Sequence, residues 1–333
     1  MKAVITGATG HIGNVLVRLL LKKGFLVRVI ALPGESLESL EGLEVEIIKG
    51  DIRNIDNLSQ AFQGFDYVFH LAGIISILPG YKKILEEVNV TGTRNVVQVC
   101  QETGIKRLVV TSSIHAFKEP PKGCYINEAC VVNPESIYGD YAKSKAQATL
   151  EVKKGIQNGL EAVITFPTGV IGPYDFRISE IGHLILDYLK GKVKFYIDGA
   201  YDYVDVRDVA EGLYRLAIQG RSGEGYILSG QQVTVKEMFD LLGEITNIKS
   251  PNLKIPMLVA RAVAPLSAWW YLVTKSKPRF TPYSLFTLSS NSLVNCNKAK
   301  EAFGYQPRPI KETLRDTVSW FYETGKAVIK TIK

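Results

Sequence analysis

The amino-acid sequence predicts an α/β fold: a doubly wound parallel sheet with a smaller C-terminal cap. Two observations predict it. Short apolar runs, nearly continuous rather than alternating, take turns with segments of helical periodicity from Ala3 to Phe166. Such strands are buried on both faces by the helices that connect them, and right-handed crossovers then wind the sheet in both directions. The second observation is a glycine-rich turn, Gly7-Ala-Thr-Gly10-His-Ile-Gly13, set between the first apolar run and the first helical one.

The elements follow in order. Residues 3–6 read as a strand and 11–23 as a helix, with Ile12, Val15, Leu16, Leu19 and Leu20 at helical spacing and Gly24 closing it. Residues 26–31 form the second strand, before the turn Pro33-Gly34, and 44–49 the third, ending at Gly50-Asp51. A short helix over 55–62 leads to the fourth strand, 67–72, bounded by Gly73. A long helix over 85–103 ends at Gly104, and 107–112 is the fifth strand. A helix over 138–158 is closed by Gly159, and the sixth strand, 161–166, is stopped by Pro167. Beyond Pro167 the pattern is less regular. Helices are expected over 181–189, 209–218 and 235–242, the last with Thr234 as N-cap, and strands over 203–206 and 226–229. Gly7–Gly13, Asp51, Gly73, Ser112, Ser113 and Pro167 all fall at strand C-termini, where open α/β sheets bind ligands.

Bulk composition narrows the function. With 46% hydrophobic and 22% charged residues, the chain of 333 residues has the make-up of a globular protein, and no long disorder is expected. Its net charge is +7, but the basic pairs Lys22-Lys23, Lys82-Lys83 and Lys153-Lys154 are scattered. No basic stripe with interleaved aromatics is present, so no nucleic-acid partner is expected. The excess suits an anionic cofactor or substrate. Cys100, Cys124, Cys130 and Cys296 form no C-x-x-C pair and no histidine stands at ligand spacing, so free thiols and no metal are expected. Met1-Lys2 runs straight into a strand, which leaves no signal peptide and predicts a cytoplasmic protein. Residues 262–273 are apolar but too short to span a bilayer, and Pro265 interrupts them. Their cluster Trp269, Trp270 and Tyr271 suits packing of the cap, a hydrophobic substrate or contact with a membrane surface.

The glycine turn lets the backbone reverse at a strand end and lets phosphate approach a helix N-terminus. Its spacing departs from G-x-G-x-x-G: aligned on Gly10 and Gly13, Ala8 holds the first glycine's place. Gly7, Thr9, Gly10, His11, Ile12 and Gly13 are therefore candidate cofactor contacts. An acid at the end of the second strand would bind the ribose of NAD. The stretch Arg28-Val-Ile-Ala31-Leu32-Pro33 lacks it, and Arg28 is nearby, so the expectation leans to NADP over NAD. Tyr141 and Lys145 lie one helical turn apart on one face. Alone such a pair is usually a surface pair. Downstream of this glycine turn it points to hydride transfer, with the lysine favouring phenolate and Tyr141 moving the proton. A hydroxyl from Ser112 or Ser113 would steady a developing oxyanion. His70 reads as a core residue, His115 as a possible substrate contact, and no G-x-S-x-G elbow exists.

These residues resemble the extended short-chain dehydrogenase/reductase family, including its NAD-dependent epimerase/dehydratase branch. The resemblance runs through Thr6–Gly13, Gly50-Asp51-Ile52, Phe69-His-Leu-Ala-Gly73, Asn89–Asn95, Thr111-Ser-Ser113, Tyr141–Lys145, Pro167–Pro173, Val204–Val209 and Phe303–Arg308. It implies a Rossmann fold and a catalytic triad of Ser113, Tyr141 and Lys145. Asp51 and Ile52 would match the adenine corner, Leu71, Ala72 and Gly73 the loop along the cofactor, and Pro167 and Val170 the nicotinamide side. Asn89 would be mostly structural, and Phe166 stands where many relatives carry arginine. Within the family the chain is similar to dihydroflavonol-4-reductase-like proteins, 3β-hydroxysteroid-dehydrogenase-like proteins and hopanoid-associated sugar epimerases. Ile114-His115-Ala116 replaces the Asp-Glu pair of sugar dehydratases.

The expectation is an NAD(P)-dependent oxidoreductase moving hydride between nicotinamide and a carbonyl or secondary alcohol of a small organic substrate. The alternatives are a sugar epimerase with tightly held NAD and a non-enzymatic NADP sensor. Residues 1–166 would form the dinucleotide-binding domain, joined by elements from 203–232, and 167–333 mostly the substrate-binding cap. A homodimer is the family-level expectation.

Overall fold

The computed structural model describes residues 1–76, 80–264 and 282–328. At its centre is a seven-stranded parallel sheet. Six strands come from the first half of the chain: β1 (Lys2–Thr6), β2 (Leu26–Ala31), β3 (Glu46–Lys49), β4 (Tyr67–His70), β5 (Arg107–Thr111) and β6 (Ala162–Pro167). The connecting helices are α1 (His11–Lys22), α2 (Ile55–Phe62), α3 (Lys82–Leu85), α4 (Gly92–Glu102) and α5 (Asp140–Gln157). Further on come β7 (Gly169–Ile171), α6 (Glu180–Leu189), β8 (Phe195–Ile197), β9 (Ala200–Asp205), α7 (Val206–Gln219) and β10 (Gly225–Leu228). The last of these returns to the main sheet beside β6.

Strand order is β10-β6-β5-β4-β1-β2-β3. Strand β1 therefore has β2 on one side and β4 on the other, and the winding reverses between β1 and β4. Crossovers leaving the sheet in opposite directions part at that point and open a crevice at the carboxyl ends. Burial explains why the strands read as continuous apolar runs: every residue of β6 is buried, whereas the edge strand β3 is largely exposed. Helices α1 and α7 pack together, and α4 packs between α2 and α5.

A second layer of packing follows. Strand β11 (Gln231–Thr234) pairs antiparallel with β9, which pairs parallel with β7, and β12 (Leu253–Ile255) pairs with β8. Helices α8 (Val235–Thr246), α9 (Pro282–Ser289) and α11 (Ile310–Glu323) complete it, whereas α10 (Asn297–Phe303) packs through Ala299 and Phe303 on the main core. The layer's own core gathers Ile185, Tyr188, Phe239, Leu242, Leu314 and Phe321.

Several expectations need correction. The helix expected over 85–103 is a run beginning at Lys82, with a π turn over Glu86–Thr91 between α3 and α4. Pro167 does not stop the sixth strand ahead of itself but is its last residue, paired in register with Leu228, whose carbonyl accepts from Thr168 N at 3.3 Å instead. The strand expected over 203–206 begins at Ala200, and α7 begins at Val206 because Asp205 caps it, accepting from Arg207 N at 2.8 Å. Thr234 caps α8 as expected, through a reciprocal box with Glu237. The aromatic cluster Trp269, Trp270 and Tyr271 lies outside the described residues. Among the described residues, no helix is long and apolar enough to cross a membrane, and no group of side chains could hold a metal ion. All four cysteines are free.

Candidate active site

The crevice between β1 and β4 is floored by the glycine turn. Gly7 has φ +73°, and a Cβ there would sit 2.6 Å from Ala72 N. A Cβ on Gly13 would lie 2.1 Å from Gly7 O, so the first turn of α1 can nest against β1 only without a side chain. Gly10, the N-cap of α1, has no side-chain cap, and no acidic residue stands in the first turn. The turn therefore presents backbone N–H groups and the positive end of a helix, which is what a pyrophosphate requires. These features fit a dinucleotide. Leu71 N and Ala72 N bond Thr6 O and Thr6 Oγ1 at 3.1 and 3.2 Å, which lays residues 71–73 along the same crevice.

A segment after β7 closes over this turn. His11 Nε2 meets Pro173 O at 3.0 Å, and Asn14 Nδ2 donates to Gly10 O, His11 O and Tyr174 O at 2.8, 3.1 and 3.1 Å. Arg18 lies 5.0 Å above the Tyr174 ring. Tyr174 and Ile178 have positive φ, at 68° and 47°. A β-branched residue there is a strained conformation. Asn14 escaped the sequence analysis, although a fully buried amide on an otherwise apolar helix face was its signal.

The adenosine side also differs from expectation. Asp51 follows β3, but its carboxylate is taken by Arg53 at 2.7 Å, and that bond holds it below the usual carboxylate range. Ile52 is buried under Gly92, and Asn95 Nδ2 bonds Ile52 O at 3.1 Å. Arg28, the basis of the lean to NADP, does not face the crevice. It pairs with Glu46 at 2.9 Å, donates to Ala61 O at 2.7 Å and lies over Phe65. An acid is present after all. The turn after β2 brings Glu35 back, so that it accepts from Leu32 N at 2.8 Å and Thr9 Oγ1 at 2.7 Å and pairs with Arg177. Burial opposes its ionisation, but those hydrogen bonds prevail and hold the carboxyl below its ordinary range. Linear spacing from the strand end hid it.

The candidate proton-handling groups stand on β5, α5 and the loops beside them. Ser112 Oγ turns away to Thr149 Oγ1 at 2.7 Å, whereas Ser113 Oγ accepts from His115 N at 3.3 Å and stands beside the Tyr141 phenol. The choice between the two serines is thereby made by geometry. Lys145 Nζ donates to Thr111 O at 2.8 Å, and a Cβ on Gly73 would come 3.9 Å from it. Burial lowers the Lys145 ammonium to about 8. Burial likewise pushes the Tyr141 phenol up to about 12, with the Ser113 hydroxyl as the smaller, opposing influence. The expected lowering of Tyr141 by Lys145 is thus corrected: burial dominates, Lys145 is not among the influences on the phenol, and Tyr141 is neutral at neutral pH. Asn89, on the π turn, pairs with the backbone of Ile74 at 2.8 and 3.0 Å and with Ser144 Oγ at 2.9 Å. His70 is the core residue expected, held between Thr6 and Thr93 at 2.8 and 2.9 Å.

Next to Ser113 and Tyr141, their neighbours Ile114 and Ala142 line a cavity of about 280 Å3. Its other walls include the rings of Phe117, Tyr138, Tyr201, Tyr283 and Phe286, with Lys118, Glu119, Ser136, Ser290 and Asn291 as the polar part of the lining. His115 opens onto it with Nε2 bonded to Tyr201 Oη at 2.7 Å, and burial pushes the imidazole down to about 4, so it is neutral. Pro167 and Val170 lie on β6 and β7, and the Tyr201 and Tyr203 rings cover Gly169 between them.

Comparison with known proteins places this geometry. The sequence model of the NAD dependent epimerase/dehydratase family matches residues 3–229. Sterol demethylase protein B of Methylococcus capsulatus is 33% identical over 98% of this chain and 99% of its own. The decarboxylating sterol-4-alpha-carboxylate 3-dehydrogenase of Mus musculus is 27% identical over 98% of this chain and 92% of its own. Among solved structures, gox2253 is 29% identical and superposes with a TM-score of 0.87, covering 98% of this chain and 99% of its own.

Two outcomes follow from the geometry. Gly13→Ala should cost about 1–3 kcal/mol in urea denaturation and weaken NADH binding. Gly10→Ala, whose Cβ would lie 3.3 Å from Gly7 O, should cost less than Gly13→Ala. Equal stability of both variants would contradict the packing described. Lys145 has a folded value of about 8 against an ordinary 10.5. Below 8 both folded and unfolded states hold the proton and the burial cost is present in full. Between 8 and 10.5 only the unfolded state holds it, so stability gains with rising pH. Wild type should therefore gain on Lys145→Met across that window in thermal melts, and a constant difference would refute it.

Proposed function

The chain belongs to the NAD dependent epimerase/dehydratase family, and on that premise we propose that it interconverts a secondary alcohol and a ketone on an apolar, ring-bearing, sterol-like substrate. It is an NAD(P)-dependent dehydrogenase/reductase of the extended short-chain type. The observation that carries the substrate class is the cavity with aromatic walls beside Ser113 and Tyr141. The sterol-directed names of the two relatives support it. We take residues 1–166 with 203–232 as the cofactor-binding body and the rest of 167–333 mostly as the substrate cap.

Bound nicotinamide supplies or accepts the hydride. The chain's own residues handle the proton and the geometry. Gly7, Thr9, Gly10, His11, Ile12 and Gly13 hold the pyrophosphate side. Asp51 and Ile52 stand at the adenine corner, and Leu71, Ala72 and Gly73 run along the cofactor. Pro167 and Val170 back the nicotinamide. In the reductive direction the Tyr141 phenol gives its proton to the carbonyl oxygen while the Ser113 hydroxyl bonds that oxygen. In the oxidative direction Tyr141 must first lose its proton, so the rate should rise with pH. Lys145 is kept near the crevice by Thr111. A polar sugar is the poorer fit to ring faces from Phe117, Tyr138, Tyr201, Tyr283 and Phe286.

For the cofactor we propose NAD. The Glu35 carboxylate, fixed at Thr9 and Leu32 N, suits ribose hydroxyls and repels a 2′-phosphate. Its removal would leave Arg177 to face that phosphate. Glu35→Ala should thus shift the NADPH-to-NADH affinity ratio towards NADPH by about tenfold or more, measured by calorimetric titration; an unmoved ratio would remove Glu35 from cofactor selection.

The reading is tested by supplying NAD with 3β-hydroxysterols and, separately, with nucleotide sugars, and following NADH. Net NADH from the sterols is expected. Sugar interconversion without net NADH would overturn the reading in favour of an epimerase. Tyr141→Phe should lose about 10²–10⁴-fold in kcat while NADH still binds, and wild-type turnover by that variant would end the proposed mechanism.

A further inference from the structure

We propose that the His115 imidazole donates, through Nδ1, to a second oxygen carried by the substrate's reacting ring, and so selects among the ketones and alcohols that enter this site. His115 follows Ser113 by two residues, and Ser113 Oγ accepts from its backbone N at 3.3 Å. Its side chain lines the same cavity as Ile114 and Ala142. Three tyrosine rings surround the imidazole: Tyr201 stacks on it at 5.9 Å, Tyr141 meets it edge-on at 6.4 Å and Tyr283 is tilted at 6.1 Å. A substrate ring whose oxygen meets Ser113 and Tyr141 lies beside that imidazole.

One ring nitrogen is engaged and the other is not. Tyr201 Oη and His115 Nε2 are 2.7 Å apart. Burial holds the Tyr201 phenol protonated, well above its ordinary range, and a phenol O–H is a better donor than a neutral imidazole N–H. The bond therefore runs from Tyr201 Oη to Nε2, which places the single proton of the neutral ring on Nδ1. Among the described residues Nδ1 has no hydrogen-bond partner. Nor is it sealed away: the sealed, unpartnered side-chain atoms among the described residues are Asn14 Oδ1, Arg18 Nε, Thr111 Oγ1 and Thr168 Oγ1. Nδ1 thus opens onto the cavity as an unanswered donor, and such a donor gains from any acceptor set against it.

Its neighbours on the inner wall do not offer the same contact. Ile114, Phe117 and Ala142 have no polar side-chain atom, and Tyr201 Oη is engaged by His115. Tyr201 is a positioning residue here, because it fixes the tautomer that turns Nδ1 into a donor. A buried donor also discriminates more sharply than an apolar wall, since a substrate without the matching acceptor leaves it unpaired. The inference rests on the dehydrogenase/reductase reading of this site and is independent of the sterol-like class.

The test joins spectroscopy and kinetics on the full chain, with NADH binding measured on every variant as the check that it is folded. In protein made with isotope-labelled histidine, nitrogen NMR should show His115 protonated at Nδ1 in wild type and shifted towards the Nε2 tautomer in Tyr201→Phe. The NADH complex is then given cyclohexanones carrying an ethyl ester on the adjacent or the opposite ring carbon, and the butyl-substituted ketones of matching shape. Wild type should favour the better ester over its butyl match by about three- to tenfold in kcat/KM, mostly through KM, and that ester should move the Nδ1 resonance whether or not it is reduced. His115→Phe should lose the preference. His115→Asn, which keeps a donor near the place of Nδ1, should retain more of it than His115→Gln, whose amide reaches the place of Nε2. The proposal is overturned by a wild-type ring protonated at Nε2, by a resonance that neither ester moves, or by a preference that survives in His115→Phe. Esters that move the resonance while no ketone is reduced would support the contact and count against the dehydrogenase/reductase reading alone.

Discussion

Everything in the site depends on two missing methylene-sized volumes. Without side chains at Gly7 and Gly13, the end of β1, the start of α1 and the loop after β4 approach to backbone contact. That approach sets the height of the crevice floor, and the other strand ends are arrayed around it by parallel pairing of β4 to β1 and β5 to β4. Sheet register then fixes where Thr111, Ser113 and the chain beyond β6 emerge. The geometry of the candidate site is a consequence of strand order, and the side chains refine what the backbone has already placed.

Desolvation is the second governing effect. Burial keeps Tyr141 protonated, brings Lys145 within reach of neutral pH and holds His115 neutral. Buried polar groups are tolerated only where hydrogen bonds answer them, and the supporting residues do this. Asn89 matches both backbone groups of Ile74, Thr111 O accepts from Lys145, and Tyr201 answers His115. The π turn widens the helix where Asn89 must reach inwards, a use that such turns have at functional sites.

Much of this was legible in the sequence because it is local. Apolar runs gave the six strands of the first half, since burial on both faces removes alternation, and the glycine turn marked the crevice floor. Tyr141 and Lys145 were found because four residues make a helical turn. What stayed hidden depends on chain folding back on itself. Glu35 lies past a turn that returns it to Thr9, so counting from the strand end missed it. Arg177 and Pro173 reach the glycine turn from more than a hundred residues away. Arg28 has the right address but faces Glu46 and Phe65. The sign of the Tyr141 shift also escaped, because a lysine four residues away can be read from spacing whereas burial cannot.

The strap formed by residues 173–178 has an implication for inheritance. Its carbonyls complete the hydrogen bonding of His11 and Asn14, and Arg177 completes that of Thr9 and Glu35. The glycine turn is therefore satisfied partly by chain that lies beyond β6. Cofactor half and cap cannot be exchanged between relatives as independent cassettes at that boundary. A graft made directly after β6 would strip His11 and Asn14 of their Pro173 and Tyr174 partners and Glu35 of Arg177, whereas one made after residue 178 would carry those partners along with the first half. The natural seam of this protein thus lies inside what its strand count would call the second half.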